Sequence, residues 1–337
     1  MPLKIDVQLS DSVLDAADRA RALEGTGVDG VFSFENSHDV FFPLVAAASV
    51  GSLDLMTNVA MAFPRSPMHF AHAAYDLQLL SEGRFRLGLG SQVRAHVEKR
   101  YGARWGSPVP HMREWVQATK AILRSWQDGT RLEFRGEYTT HTLMTPAFNP
   151  GPNPFGVPKV LVGALGPRMN SMAAEVADGV LVMPFNSERH MRERTWPAID
   201  EGLRTAGRTR ADVEINAEVI VGVGRNDEEL EAARGVKYVL AFYGSTPAYR
   251  AVLDLHGWGD LQGELNALSK RGEWGVMTDL ITDEMVEALS VHGTPDAVTA
   301  EIVQRYGDCD RICAYFPGYR AGDDLIADFV AAMRDAS

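Results

Sequence analysis

Cysteine is nearly absent: Cys309 and Cys313 are the two in 337 residues. Two thiols without C-x-x-C spacing build neither a disulfide framework nor a four-ligand zinc site, and both read as buried structural thiols. Positive charge is scarce too. The 33 Lys and Arg face 45 Asp and Glu, a net charge of −12, which argues against nucleic acid or an anionic membrane surface as partner. No long apolar run exists. VAAAS and VLVGAL fall far short of the ~20 residues a membrane helix needs. The opening stretch MPLKIDVQLSDSV has no cationic segment before an apolar core, so no signal peptide is expected, and the expected compartment is a reducing cytoplasm. Glycine is missing from the first βα turn, QLSDSVLD, where a dinucleotide-binding sheet carries its Gly-rich loop. GLGSQV, at 88–93, lacks the third glycine. No H-x-H opens the first strand, and the H-x-x-H of His69 and His72 has no third ligand at useful spacing, so no metal is expected.

What is present is a repeated alternation. Eight short apolar runs, Leu3–Val7, Gly30–Phe34, Asp54–Ala60, Phe85–Gly90, Lys159–Gly163, Gly179–Met183, Val213–Val223 and Arg311–Phe316, are each followed by a longer helical pattern. Near-continuous rather than alternating apolarity marks strands buried on both faces. Eight such units predict a (β/α)8 barrel, with a doubly wound sheet as the alternative. Four strands are entered through one local pattern, in GTGVDGVFSF, LSEGRFRLGLG, EVADGVLVMP and YGDCDRICAYF. There a glycine is expected to end the helix in the left-handed conformation. Stripes at helical spacing include Val13, Ala17, Ala20 and Leu23; Phe70, Ala74 and Leu77 behind a Ser66-Pro67 start; Trp115, Thr119, Ile122 and Trp126; and Met169, Met172, Ala173 and Val176 behind Gly166-Pro167. The chain reads as one domain over 1–337. Two long insertions, 129–158 and 244–292, are expected at the C-terminal barrel mouth.

In such a barrel, chemistry sits where strands end and βα loops begin. Glu35 is a candidate acid or base if burial raises its pKa. Asn36 offers a hydrogen-bonding amide, His38 with Asp39 a proton-relay pair, and His96 a substrate contact or general acid. Asn58, Ser91, Gln92 and the turn Gly163-Ala164-Leu165-Gly166-Pro167-Arg168 complete the mouth, and His141 could reach it from the lid. Phe41, Phe42, Phe63, Phe185, Phe316 and Tyr319 are expected in its lining. A Gly-rich turn opening a helix presents backbone N–H groups to an anion, and Arg168 adds a cation. A flat, largely apolar ligand with an anionic tail would suit this lining.

The stretch AHAAYDLQLLSEGRFRLGLGSQ, followed by EKRYG and the helix MREWVQATKAILRSW, resembles the luciferase-like monooxygenase superfamily. The resemblance is clearest over 27–126 and 157–186. It implies a barrel that binds FMN or the deazaflavin coenzyme F420. PRSPMH, LGLGSQVRAH and THTLMTP are similar to the F420-dependent oxidoreductase branch. That branch implies hydride transfer between F420 and a small carbonyl/alcohol pair or conjugated double bond. It further implies a non-prolyl cis peptide at Asn58-Val59 behind the deazaflavin ring, and contacts to the cofactor at Ser91-Gln92 and Gly163–Pro167. Sugar-phosphate dehydrogenases of the branch carry Asp-His where this chain has Glu35-Asn36, so glucose 6-phosphate is not the expected substrate. The resemblance also implies a homodimer. The alternatives are an FMN-dependent two-component monooxygenase and a non-catalytic flavin- or deazaflavin-binding protein.

Overall fold

The computed structural model describes residues 3–9 and 12–336; Ser10 and Asp11 of the glycine-free first turn lie outside the described residues. Eight parallel strands, β1 (Lys4–Gln8), β2 (Gly30–Ser33), β3 (Asp54–Thr57), β4 (Phe85–Gly90), β5 (Lys159–Ala164), β6 (Gly179–Val182), β7 (Glu214–Val223) and β8 (Arg311–Tyr315), form the barrel, and the short strands Ala60–Met61 and Val291–Gly293 pair with β4 and β7. Each pairs with the next and β8 returns to β1, so the sheet closes into a (β/α)8 barrel without edges. The apolar runs are legible because core-facing and helix-facing residues alike are buried, as along β7, where Ile215 to Val223 are all buried.

The four helix-to-strand turns share an acid or arginine rather than a left-handed glycine. Gly27 and Gly83 do have positive φ, 84° and 90°. Gly307 is helical at φ −59°, and the helix before Asp178 ends at Ala177 in an extended conformation. What recurs is a clamp. The Oδ2 atoms of Asp29, Asp178 and Asp310 accept from the main-chain N–H groups of Ile5, Val160 and Ile215, at 2.7, 2.9 and 2.7 Å. Each aspartate's own N–H donates to the carbonyl of the same residue. Consecutive strands are thus locked in register at their N-terminal ends. Arg84 does the equivalent by donating to Leu53 O and Gly51 O.

The helix Pro67–Leu80 starts as expected, with Ser66 Oγ accepting from His69 N–H and Phe70, Ala74 and Leu77 buried. Trp115, Thr119, Ile122 and Trp126 are all buried on Pro108–Asp128. The first helix differs. It runs Ala16–Glu24 and buries Ala16, Ala20 and Leu23, while Val13 precedes it and is 50% exposed.

Residues 129–158 do not cover the mouth. They join a helix to β5 and pack along the outside of Pro108–Asp128. The Glu114 carboxylate there accepts from the N–H groups of Glu137, Tyr138 and Thr139. The mouth is covered instead by the connection from β7 to β8, whose helices begin at Asp227, earlier than the 244 expected. Those helices enclose their own apolar cluster, with Phe185, Leu240, Leu253 and Leu265 at its centre.

The barrel interior is layered. At the bottom, Arg311 and Arg86 are ion-paired with Asp6, Asp54 and Glu214. Burial alone would raise the Glu214 carboxyl, yet Arg86 and Lys159 hold it at about 2. Burial lifts Asp6 to about 6 against the pull of Arg311 and Arg86. Above lie Phe32, Met56, Leu161, Leu181 and Cys313. The top layer opens into a cavity.

Candidate active site

β3 is broken where the cavity begins. Between the pairs Met56–Arg86 and Ala60–Leu89 the chain takes four steps on one side and three on the other, so one residue is extra, a β-bulge. Thr57 Oγ1 substitutes for the lost ladder bonds, donating to Gly88 O at 2.8 Å and accepting from Gly88 N–H at 2.9 Å. The Asn58-Val59 peptide within the bulge is cis. Two glycines make room for Val59. A Cβ on Gly90 would stand 2.3 Å from Val59 Cγ2, and one on Gly163 would stand 3.1 Å from Cγ1.

The cavity has a volume of about 590 Å³, within the range of small-molecule and cofactor sites. Phe34, Val59, Leu181, Met183, Trp105, Tyr243 and Tyr249 give it mostly apolar walls. Asn58, Ser91, Gln92, Glu35 and Glu218 bring polar atoms, and Gly163 to Gly166 form one rim. Gln92 closes β4 in the left-handed conformation at φ 57°, a position a non-glycine residue seldom takes. Its Oε1 accepts from Val93 N–H. The helix Pro167–Val176 begins at this rim with Gly166 as its N-cap.

Two carboxyls reach the cavity in opposite settings. Glu35 is saturated with donors. Its Oε2 accepts from Met61 N–H at 2.9 Å and from Arg65 at 2.5 Å, and its Oε1 from the Tyr101 hydroxyl at 3.0 Å. Arg65 also pairs with Asp39, whose other oxygen caps Phe41 N–H. Glu218, on β7, meets no cation among the described residues. Asn58 Nδ2 donates to its Oε2 at 3.1 Å. Burial pushes this carboxyl up to about 8, and the Asn58 hydrogen bond offsets only part of that. The half-buried phenols of Tyr243 and Tyr249 stand near it. Burial raises both, Tyr243 well above its usual value and Tyr249 to about 12, with Glu218 adding to each shift.

The sequence model of the luciferase-like monooxygenases matches residues 4–309. The chain belongs to the luciferase-like monooxygenase family. An uncharacterised protein of Mycobacterium tuberculosis is 48% identical over 317 residues, 93% of each chain. A second protein of that organism, provisionally named a coenzyme F420-dependent oxidoreductase, is 30% identical over 85% of this chain and 86% of its own. Among solved structures, the coenzyme F420-dependent tetrahydromethanopterin reductase of Methanopyrus kandleri superposes with a TM-score of 0.79 at 20% identity, over 97% and 96% of the two chains. The FMN-bound oxygenating constituent of 3,6-diketocamphane monooxygenase from Pseudomonas putida superposes at 0.66 and 15% identity, over 98% and 95%. At these identities the structural likeness speaks for the fold alone.

In this luciferase-like barrel the residues expected at the site divide. Asn58, Val59, Ser91, Gln92, Gly163, Ala164, Leu165 and Gly166 line the one cavity, as does Glu35. Pro167 and Arg168 face a separate, shallower groove with Arg113, Ser171 and Glu201, because the helix turns them away from the barrel axis. His38 and His96 are exposed and outside the cavity, His96 on the solvent side of a short helix whose buried residue is Val97. Asn36 also lies outside it; its Oδ1 accepts from Ser37 Oγ at 2.9 Å. Both oxygens of Glu35 are taken, by Met61 N–H, Arg65 and the Tyr101 hydroxyl. His141 bonds Thr139 Oγ1 away from the cavity. None of Phe41, Phe42, Phe63, Phe185, Phe316 and Tyr319 lines it; Phe185 is buried beneath the covering helices and Tyr319 hydrogen-bonds β7 through Val221 O and Val223 N–H. Among the described residues no three His, Cys, Asp or Glu side chains cluster around a metal position, and His72 lies against Trp126 instead.

Glu218, Tyr243 and Tyr249 went unanticipated. A signal for the first exists: Glu214, Asn216 and Glu218 alternate within VEINAEVIVGV, placing three polar groups on the barrel-facing side of a strand otherwise apolar.

Proposed function

We propose that this protein is an oxidoreductase that transfers a hydride between coenzyme F420 and a small organic substrate, a carbonyl/alcohol pair or a conjugated double bond. The observation that carries this reading is the cavity built on the Val59 bulge. Gly90 and Gly163 have no side chain because Val59 occupies that space, which leaves a flat apolar back wall suited to a tricyclic ring. Asn58 and Val59 would hold the ring from behind, and Ser91 and Gln92 its polar edge. The N–H groups of Leu165 and Gly166, between β5 and the helix Pro167–Val176, suit the anionic tail. Pro167 and Arg168 belong to that tail end only if it extends into the neighbouring groove. The F420-named relatives support the choice of cofactor.

When bound, the deazaflavin supplies or accepts the hydride. The protein's residues do the rest. Phe34, Leu181 and Met183 keep water from the reacting centre. Glu35 acts as a positioning residue: through Met61 N–H and Arg65 it fixes the second half of the bulged strand. The same reading takes the working protein as a cytoplasmic homodimer. Among the described residues no helix is long and apolar enough to cross a membrane.

The test is an anaerobic fluorescence titration of the purified protein with F420 and, separately, with FMN. Tight F420 binding with weak FMN binding supports the proposal. The reverse overturns it in favour of the FMN-dependent monooxygenase, which oxygen consumption with reduced FMN would then establish. F420 binding with no turnover of any aldehyde, ketone or enone points to a non-catalytic binding protein.

A further inference from the structure

We propose that Glu218 is the proton donor of this site and that its substrate is an uncharged carbonyl compound, an assignment that rests on the F420-dependent reading above. Glu218 lies on β7, opposite the bulge of β3 across an eight-stranded barrel, and lines the cavity floor. Its Oε2 is taken by the Asn58 amide. No partner for Oε1 exists among the described residues, so a proton on the carboxyl belongs on Oε1, the oxygen free to address a ligand. The titratable groups facing it are the Tyr243 and Tyr249 phenols above and the Cys313 thiol on β8 beside it. None of these is ionised at neutral pH, because burial pushes all three upward. Without a nearby cation to favour the carboxylate, Glu218 stays a neutral acid below pH about 8.

A neutral O–H at the end of an apolar pit recognises a hydrogen-bond acceptor that carries no charge. The cavity's one arginine, Arg94, stands at the exposed rim and is paired with Glu98. A carboxylate or phosphate substrate would meet no cation at the floor. A ketone, aldehyde or enone oxygen accepts from Glu218 without that penalty.

In the reducing direction, the carbonyl carbon receives the hydride with its electron pair. The C=O π electrons move to oxygen, and Glu218 delivers its proton there. The C=O double bond becomes C–H and O–H, the deazaflavin is left oxidised, and the Glu218 carboxylate is reprotonated from solvent. In the oxidising direction Glu218 must begin as the carboxylate. The two directions should therefore show opposite pH limbs, reduction falling and oxidation rising through about 8.

The experiment compares wild type with Glu218→Gln, using reduced F420 with cyclohexanone and cyclohex-2-enone, alongside F420 titration of both proteins. Infrared spectra of both proteins without cofactor are recorded across the pH range. The expected results are a 10²–10⁴-fold loss of turnover on the order expected for a general acid, loss of the pH limb, and unchanged F420 affinity. A protonated-carboxyl band present at neutral pH in wild type should be missing from the variant. Glu218→Gln turning over like wild type with the same pH profile, or a Glu218 already ionised at neutral pH, overturns the role. Wild type that binds F420 but reduces neither ketone overturns the substrate class. Wild type that fails to bind F420 removes the proposed function and this role with it, an outcome the titration separates from the others.

Discussion

The amide of Asn58 reaches across the barrel and donates to the carboxyl of Glu218, 3.1 Å away and 160 residues on in the chain. One end of that bond belongs to the bulge that shapes the cavity's back wall, the other to the carboxyl at its floor. A change at either end is therefore felt at the other. The hydrogen bond favours the ionised carboxyl. Asn58→Ala should move the alkaline limb of ketone reduction to higher pH, read from kcat against pH. A limb that stays in place would break the link between the two residues.

Gly90→Ala should weaken cofactor binding without unfolding the barrel. Its Cβ would overlap Val59 Cγ2 at 2.3 Å, so the bulge must move. Overpacking of this kind costs about 1–3 kcal/mol. The comparison is the F420 titration set against the thermal midpoint: affinity should drop more than tenfold while cooperative unfolding persists. Unaltered affinity would show that the back wall does not support the ring.

Arg65→Ala should destabilise the protein by about 2–3 kcal/mol, less than the loss of a fully enclosed ion pair because the Arg65 side chain is 22% exposed. The cause is the Glu35 carboxylate left short of its strongest donor. Urea unfolding measures it. Glu35→Gln should keep the pH limb of turnover, since the proton is not its own; loss of the limb in that variant would return the acid role to Glu35.

Stability should fall on both sides of a middle pH because two ion-paired carboxyls at the bottom of the barrel are shifted in opposite directions. Glu214 sits at about 2 against an ordinary 4.5. The native state therefore binds its proton less readily than the unfolded chain, and its contribution is present above 4.5 and lost as pH falls toward 2. Asp6 sits at about 6 against 3.8. Its native form holds the proton more tightly, so its contribution is full below 3.8 and lost as pH rises through 6. Glu214→Gln should flatten the acid limb of the urea midpoint, and Asp6→Asn the slope between 3.8 and 6. A variant that keeps the limb assigned to it disproves the assignment.

Much of this barrel was legible because both faces of each strand are buried; the run Phe85–Gly90 coincides with β4 at both ends. The Ser66 cap and the Trp115 to Trp126 stripe follow from local rules of the same kind. Loop courses were not legible. Residues 129–158 look like a lid by composition, but both of their ends lie on the side of the barrel away from the mouth, a fact of tertiary path alone. Histidines drew attention to His38 and His96 as residue types, whereas the cavity's poised acid is Glu218, which only the two-residue alternation along β7 betrays. The cis peptide at Asn58-Val59, expected from resemblance, is present.

The ion-paired floor of Asp6, Arg311, Asp54, Arg86 and Glu214 makes the barrel a blind pit. The buried layer of Phe32, Met56, Leu161 and Cys313 separates these residues from the cavity, so among the described residues the way in and out is the mouth. Binding order is then set by depth: whatever sits nearest the floor enters first and leaves last. Steady-state kinetics with two ligands should be ordered rather than random. The slowest step of a turnover is then liable to be departure past Tyr243 and Tyr249, not bond making.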